Sequence, residues 1–170
     1  MKHNMLITVL LVLVLAGCEY QVPLADKQDI PVDESILGFW EQVPDKTDTA
    51  KSEDNMLVLK YTDKEYLVHY PTGKNGMYFR GYPIKIDGKI YMQIQLIGIK
   101  DGDIEKKDRR FHVVSYLLSD GQLEIKTLNS ELVDKNLQDS AKLMEAFLKN
   151  KDNKDLFKNP GKFRKAPKKN

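Results

Sequence analysis

Cysteine is almost missing from this chain. Cys18 is the only one in 170 residues, which excludes an intramolecular disulfide and any thiolate metal cage. A domain exported without disulfides has to rely on its core for stability. Histidine is scarce too: His3 lies near the start, and His69 and His112 fall in separate strand-like runs. Two histidines would need carboxylates at the right geometry to hold a metal, so no metal site is expected. Asp101-Gly102-Asp103 with Glu105 has alternating carboxylates but lacks the rest of a calcium loop, and it reads as a solvated connection. No glycine-rich run precedes a helix as a phosphate loop requires, and no serine sits in a nucleophile-elbow context. No catalytic residue is assigned, and neither an enzyme nor a cofactor is expected. The net charge is only +2, too little for a whole-molecule argument toward nucleic acid.

No apolar run reaches the roughly 20 residues of a spanning helix. The longest, residues 5–15, is about a dozen and is broken by Thr8. It follows a weakly positive start and ends on the small residues Ala16 and Gly17, the layout of a secretory signal. Leu15-Ala16-Gly17-Cys18 resembles the lipobox of bacterial lipoproteins at every position. That resemblance implies cleavage between Gly17 and Cys18, removal of residues 1–17, and a diacylglycerol on the Cys18 sulfur. Each buried methylene contributes about 0.8 kcal/mol, so two or three acyl chains anchor firmly where one holds marginally. In that family an Asp directly after the cysteine tends to retain the protein at the inner membrane. Glu19 stands here instead, which implies the periplasmic face of the outer membrane.

Residues 18–33 have two prolines and no strand or helix period, and read as the acylated cysteine followed by a flexible tether. From there the period is two. Strand signals cover residues 38–43, 56–61, 65–70, 77–86, 89–99, 111–118 and 122–128. Asp87-Gly88 and Asp120-Gly121 mark hairpin turns. In 89–99, Ile90, Met92, Ile94 and Leu96 share one face, while Tyr91, Gln93 and Gln95 make the other a wet face. Successive hairpins without intervening helices predict an all-β domain over residues 34–128, either an antiparallel up-and-down barrel or a strongly curved meander sheet.

The period then changes. Leu132, Val133 and Leu137 suggest a short helical turn. Leu143, Met144, Phe147 and Leu148 form a stripe behind a Ser140 cap, predicting a C-terminal α-helix within residues 129–157 that packs on the barrel. Asn159-Pro160-Gly161 reads as a turn. From residue 149 onward nine Lys or Arg face two Asp, leaving the body acidic. Residues 158–170 read as a basic tail able to touch anionic lipid, or as a solvated terminus.

Gly38-x-Trp40 at the start of the first strand resembles the lipocalin and wider calycin group, as in uncharacterised small envelope lipoproteins. The resemblance implies a glycine that lets the chain bend and a tryptophan that plugs one barrel end. A late arginine then covers the ring, with Arg110 the candidate. It also implies a non-catalytic binding module for a small apolar or amphipathic ligand, with Trp40, Tyr66, Tyr70, Tyr82 and Tyr91 as candidate lining. The alternative is a structural or interaction lipoprotein whose barrel is filled by its own side chains and which meets an envelope protein. Eight strands suit either.

Overall fold

Strands β1 (Gly38–Gln42), β2 (Met56–Thr62), β3 (Glu65–His69), β4 (Met77–Ile86) and β5 (Lys89–Ile99) follow one another with no helix between them. After them come the two-residue β6 (Gly102–Asp103), then β7 (Phe111–Ser119), β8 (Gln122–Leu128) and β9 (Phe157–Lys165). One helix, α1 (Ser140–Lys149), lies between β8 and β9. This computed structural model describes residues 19–44 and 54–167. Each strand pairs antiparallel with its neighbour from β1 to β5 and from β7 to β9, β5 pairs with β7, and β9 returns to β1. Eight strands therefore close into a barrel, with β6 attached to the end of β5. Closure removes the sheet edges that would otherwise template aggregation.

The marked hairpins are two-residue turns, with Ile86 opposite Lys89 and Ser119 opposite Gln122. Asp87 and Gly88 have φ 49° and 80°, and Asp120 and Gly121 have 52° and 73°. Two successive positive φ values match the turn to the right-handed twist of its strands.

Pairing separates the side chains into two faces, because directly opposed residues share a face and neighbours along a strand alternate. The inner face gathers Trp40, Met56, Val58, Tyr66, Met92, Val114, Leu123 and Phe163 into one buried cluster. The outer face of β4, β5, β7 and β8 carries a second, built on Tyr82, Ile84, Ile86, Tyr91, Val113 and Leu128. Leu143 and Phe147 of α1 complete this second cluster together with Tyr20 and Leu24. The helix thus packs on the barrel as its stripe predicts. Its cap is Asp139, whose carboxylate accepts the Lys142 N–H at 2.9 Å, rather than Ser140.

Several expectations are overturned. Residues 19–33 are not a loose tether. Tyr20 exchanges both backbone hydrogen bonds with Phe111, at 2.8 and 2.9 Å, and is 0% exposed; Leu24 is 2% exposed. The segment is a strap laid across the outside of the barrel. The supposed wet face of β5 is what it covers: Gln93 is 0% exposed, its Oε1 accepting the N–H groups of Leu24 at 2.7 Å and Ala25 at 3.1 Å. A buried amide can do this because it offers acceptor and donors to a backbone that has no ladder partner.

Residues 158–165 are likewise not tail but most of β9, the strand that closes the barrel. Lys162 and Arg164 alternate outward while Phe163 points in, a strand period masked by high charge. Asn159-Pro160-Gly161 lies inside β9, where Asn159 has φ 56° and the register with β8 shifts; the turn chemistry makes a bulge. Residues 129–139 form turns rather than helix, with Val133 fully buried among them.

Candidate functional site

The inner face encloses a cavity of about 120 Å³. Its walls are apolar: Met56, Val58, Val68, Phe79, Met92, Ile94, Val114, Leu123, Ile125 and Phe163, with Ile36 at one end. Among the described residues, polar side chains enter the lining only from Tyr66, Tyr70, Tyr116, Thr127 and Asn159. Two inward positions carry no side chain and let neighbouring side chains close on the backbone. Gly81 sits opposite Tyr66 and Ile94, and a Cβ there would stand 3.0 Å from Ile94 Cγ2. Gly161 sits opposite Ile125, and a Cβ there would stand 3.3 Å from the Phe163 ring.

One end of the barrel is shut by the chain that enters β1. The Val32 N–H donates to Asp63 O at 3.0 Å, tying the strap to the β2–β3 turn. Asp33 then begins a short 3-10 turn, Glu34–Ile36, with its carboxylate accepting the Ser35 N–H. The Asp33 N–H donates to the Tyr66 hydroxyl. Lys60 pairs with Asp63 at 2.9 Å and Glu34 at 3.7 Å, and Lys165 Nζ donates to Ser35 O at 2.8 Å.

Trp40 fills this end, 0% exposed, its Nε1–H donating to Ile36 O at 2.9 Å. Gly38, at φ 126°, makes the bend into β1 that a side chain would resist. The cation over the tryptophan ring is Lys165 of β9, 5.2 Å from the centroid. Arg110 is not that cation; it donates to the Lys107 and Arg109 carbonyls instead. Burial pushes the Tyr66 hydroxyl up to about 12, the Asp33 backbone hydrogen bond offsetting only part of the effect. Burial also raises Tyr70 and Tyr116.

The opposite end is where β3 and β8 finish and β9 begins. Tyr70, Thr127 and the exposed Asn159 bring the lining to that rim, and Tyr70 meets Phe163 edge-on at 5.7 Å. The cavity therefore has an aromatic and hydrophobic floor and walls, with amide, hydroxyl and phenol groups toward its mouth.

Of the five aromatic candidates, Tyr66 and Tyr70 line the cavity and Trp40 closes its end. Tyr82 and Tyr91 do not belong to it. Tyr82 lies under the strap and donates to Ala25 O at 3.0 Å, and Tyr91 stacks on Phe157 at 5.3 Å and meets Phe147 edge-on. Tyr91 is out of phase with the inward Met92 and Ile94, so the alternation within β5 already carried this distinction. Tyr116 and Phe163 were missed; Tyr116 is in phase with Val114, and Phe163 was hidden in the charged C-terminal run.

His69 faces outward and stacks on Tyr78 at 4.4 Å, whereas His112 is buried on the inner face, edge-on to Phe79 at 6.2 Å. The two are on opposite faces. Among the described residues no three His, Cys, Asp or Glu side chains gather in a way that could hold a metal ion. Gly17 and Cys18, the expected cleavage and acylation positions, lie outside the described residues. Compared with known proteins, the chain matches no family model, no curated protein and no solved structure.

Proposed function

We propose that this protein is a lipid-anchored, non-catalytic binding module of the cell envelope, held through acylated Cys18 at the periplasmic face of the outer membrane. Its barrel receives a small apolar ligand or the apolar end of an amphipathic one. The observation that carries the ligand reading is the cavity inside the barrel: about 120 Å³, almost wholly apolar, shut at one end by Trp40 and the Glu34–Ile36 turn. It favours a ligand site over a barrel filled by its own side chains, since interiors are normally packed with few voids larger than a water molecule.

The size sets the ligand class. An apolar cavity near 150 Å³ takes a benzene-sized guest, while drug-sized ligands need some 300–1,000 Å³. The space here suits one ring or a few methylenes, with any polar group left at the Tyr70, Thr127 and Asn159 rim. Location rests on the resemblance of Leu15-Ala16-Gly17-Cys18 to a lipobox, together with the hydrophobic run before it.

Benzene and short-chain alcohols titrated into the soluble domain test the cavity. Methyl resonances of Val114, Ile94 and Val58 should shift, while those of Leu117 and Leu59 on the outer surface stay still. No inner-face shift at saturating benzene would refute the ligand reading. For location, Cys18→Ala should release the protein from membranes, and unchanged fractionation would refute the anchor.

A further inference from the structure

The strap changes what the anchor can do. Were residues 19–33 free, fifteen residues would separate the lipid from the domain, a contour of about 50 Å at roughly 3.3–3.6 Å per residue. The barrel would then tumble above the membrane. Instead Tyr20 is already part of the fold, bridged to Phe111 through both backbone hydrogen bonds and donating its hydroxyl to Val133 O at 3.1 Å. Only Glu19 stands between it and Cys18, so the Cys18 Cα lies within about 7 Å of the Tyr20 Cα.

Phe111 opens β7, and this places it at the mouth rim. β7 runs antiparallel to β8, so its first residue lies beside the end of β8, where Thr127 lines the cavity. From Tyr20 the strap runs away from that rim, past Gln93 and Tyr82, to Val32 and the β2–β3 turn at the shut end. The anchor and the mouth therefore share one rim.

That rim also carries basic side chains and an exposed apolar one that can meet lipid headgroups. The β5–β7 connection carries Lys100, Lys106, Lys107, Arg109 and Arg110 against four acidic residues, and Ile99 beside it is 43% exposed. Basic groups near an anionic leaflet each contribute up to about 1 kcal/mol.

We infer that the barrel sits on the bilayer with this rim down, so that its cavity opens onto the lipid surface and its ligand is the apolar end of a membrane amphiphile. The inference rests on the acylation of Cys18 proposed above. With the leash this short, a membrane amphiphile can place its apolar end in the cavity while its head stays among headgroups. The shut end, with Trp40 and Lys165, points to the aqueous side.

Acylation uses the only native thiol, so any introduced cysteine is unique for labelling. Full-length lipidated protein in phosphatidylethanolamine/phosphatidylglycerol vesicles is labelled at Ile99→Cys or Lys107→Cys at the rim, and at Lys64→Cys or Ser119→Cys at the shut end. All four positions are exposed. A headgroup-attached quencher should quench the rim labels several-fold more than the distal ones. Loosening the strap with Gln93→Ala should shrink that difference. Equal quenching at both ends in protein whose Cys18 peptide carries the acyl mass overturns the orientation and leaves the anchor standing. A Cys18 peptide without acyl mass overturns both.

Discussion

Replacing Gln93 by alanine tests the strap directly. Gln93 is 0% exposed and makes four contacts. It accepts from Leu24 N at 2.7 Å and Ala25 N at 3.1 Å, and its Nε2 donates to Ala25 O at 3.2 Å and to the Tyr82 hydroxyl. Truncation leaves two outcomes. If the strap stays down, two backbone N–H groups lose their acceptor, and a buried orphan donor costs about 1–3 kcal/mol each. If the strap peels off, those groups find water, but the burial of Leu24 and part of Tyr20 is forfeited, about 1.5–3 kcal/mol per side chain. The first path costs about 2–6 kcal/mol and the second about 2–4 kcal/mol; the cheaper decides, so the cost is about 2–4 kcal/mol. For a domain of this size each kcal/mol lowers Tm by roughly 2–4 °C, so the melting temperature should drop by about 5–15 °C. Hydrogen exchange separates the strap from the barrel. In Gln93→Ala the Leu24 and Ala25 amides should lose protection, while Met92, Val113 and Val114 in the barrel ladder keep most of theirs. Unchanged protection at Leu24 and Ala25, with Tm within a degree or so of the parent, would refute the strap as a stabilising element.

A chain ended at Asp155 lacks β9 and leaves β1 and β8 without their shared partner; it should show no cooperative thermal transition, and a parent-like melt would refute β9 as the closing strand. Asp139→Ala removes the helix cap and should cost about 1 kcal/mol, read as a small fall in the urea midpoint with the slope unchanged. At alkaline pH the unfolded chain gives up the Tyr66 proton near 10 while the folded state holds it to about 12. The unfolded state then binds fewer protons, so stability falls as pH rises through that window; Tyr70, Tyr82, Tyr91 and Tyr116 are raised in the same direction. Urea midpoints measured from pH 9 to 12 should decline, and a midpoint flat across that range would contradict the burial of these phenols.

The strands from Gly38 to Leu128 were legible because one of their faces must be apolar and the other need not be. Period two survives in β3 and the residue after it as Tyr66, Val68 and Tyr70, and in β5 as Met92, Ile94 and Leu96, and Asp-Gly pairs punctuate it. The helix was legible for the same reason at another period. What escaped was anything held by backbone or by a single polar atom. The strap has few apolar residues, yet Tyr20 and Leu24 suffice because Gln93 supplies hydrogen bonds to the backbone of Leu24 and Ala25. No local pattern marks Gln93 as buried, since an alternating strand shows a glutamine as solvent-facing whether water or another segment covers it.

β4 held a clue in its second apolar row. Tyr82, Ile84 and Ile86 are out of phase with the inward Phe79, which signals a strand covered on both faces, and the covers prove to be the strap and α1. β9 was concealed by its charge, for in a closed barrel an outward side chain meets water and lysine fits there as well as threonine.

The amino-acid sequence by itself determined the strand and helix periods, the two tight turns and the lack of an intramolecular disulfide, and it carries the resemblance of residues 15–18 to a lipobox. All of these are local, set by side-chain alternation, backbone φ preference or residue identity. Only the tertiary structure decided that the barrel closes through a basic C-terminal strand. Only it showed that the segment after the cysteine is bound rather than free, that Trp40 lies beneath Lys165, and that an apolar space remains inside. Each of these depends on which distant backbone groups and side chains meet, and separation along the chain carries no record of that.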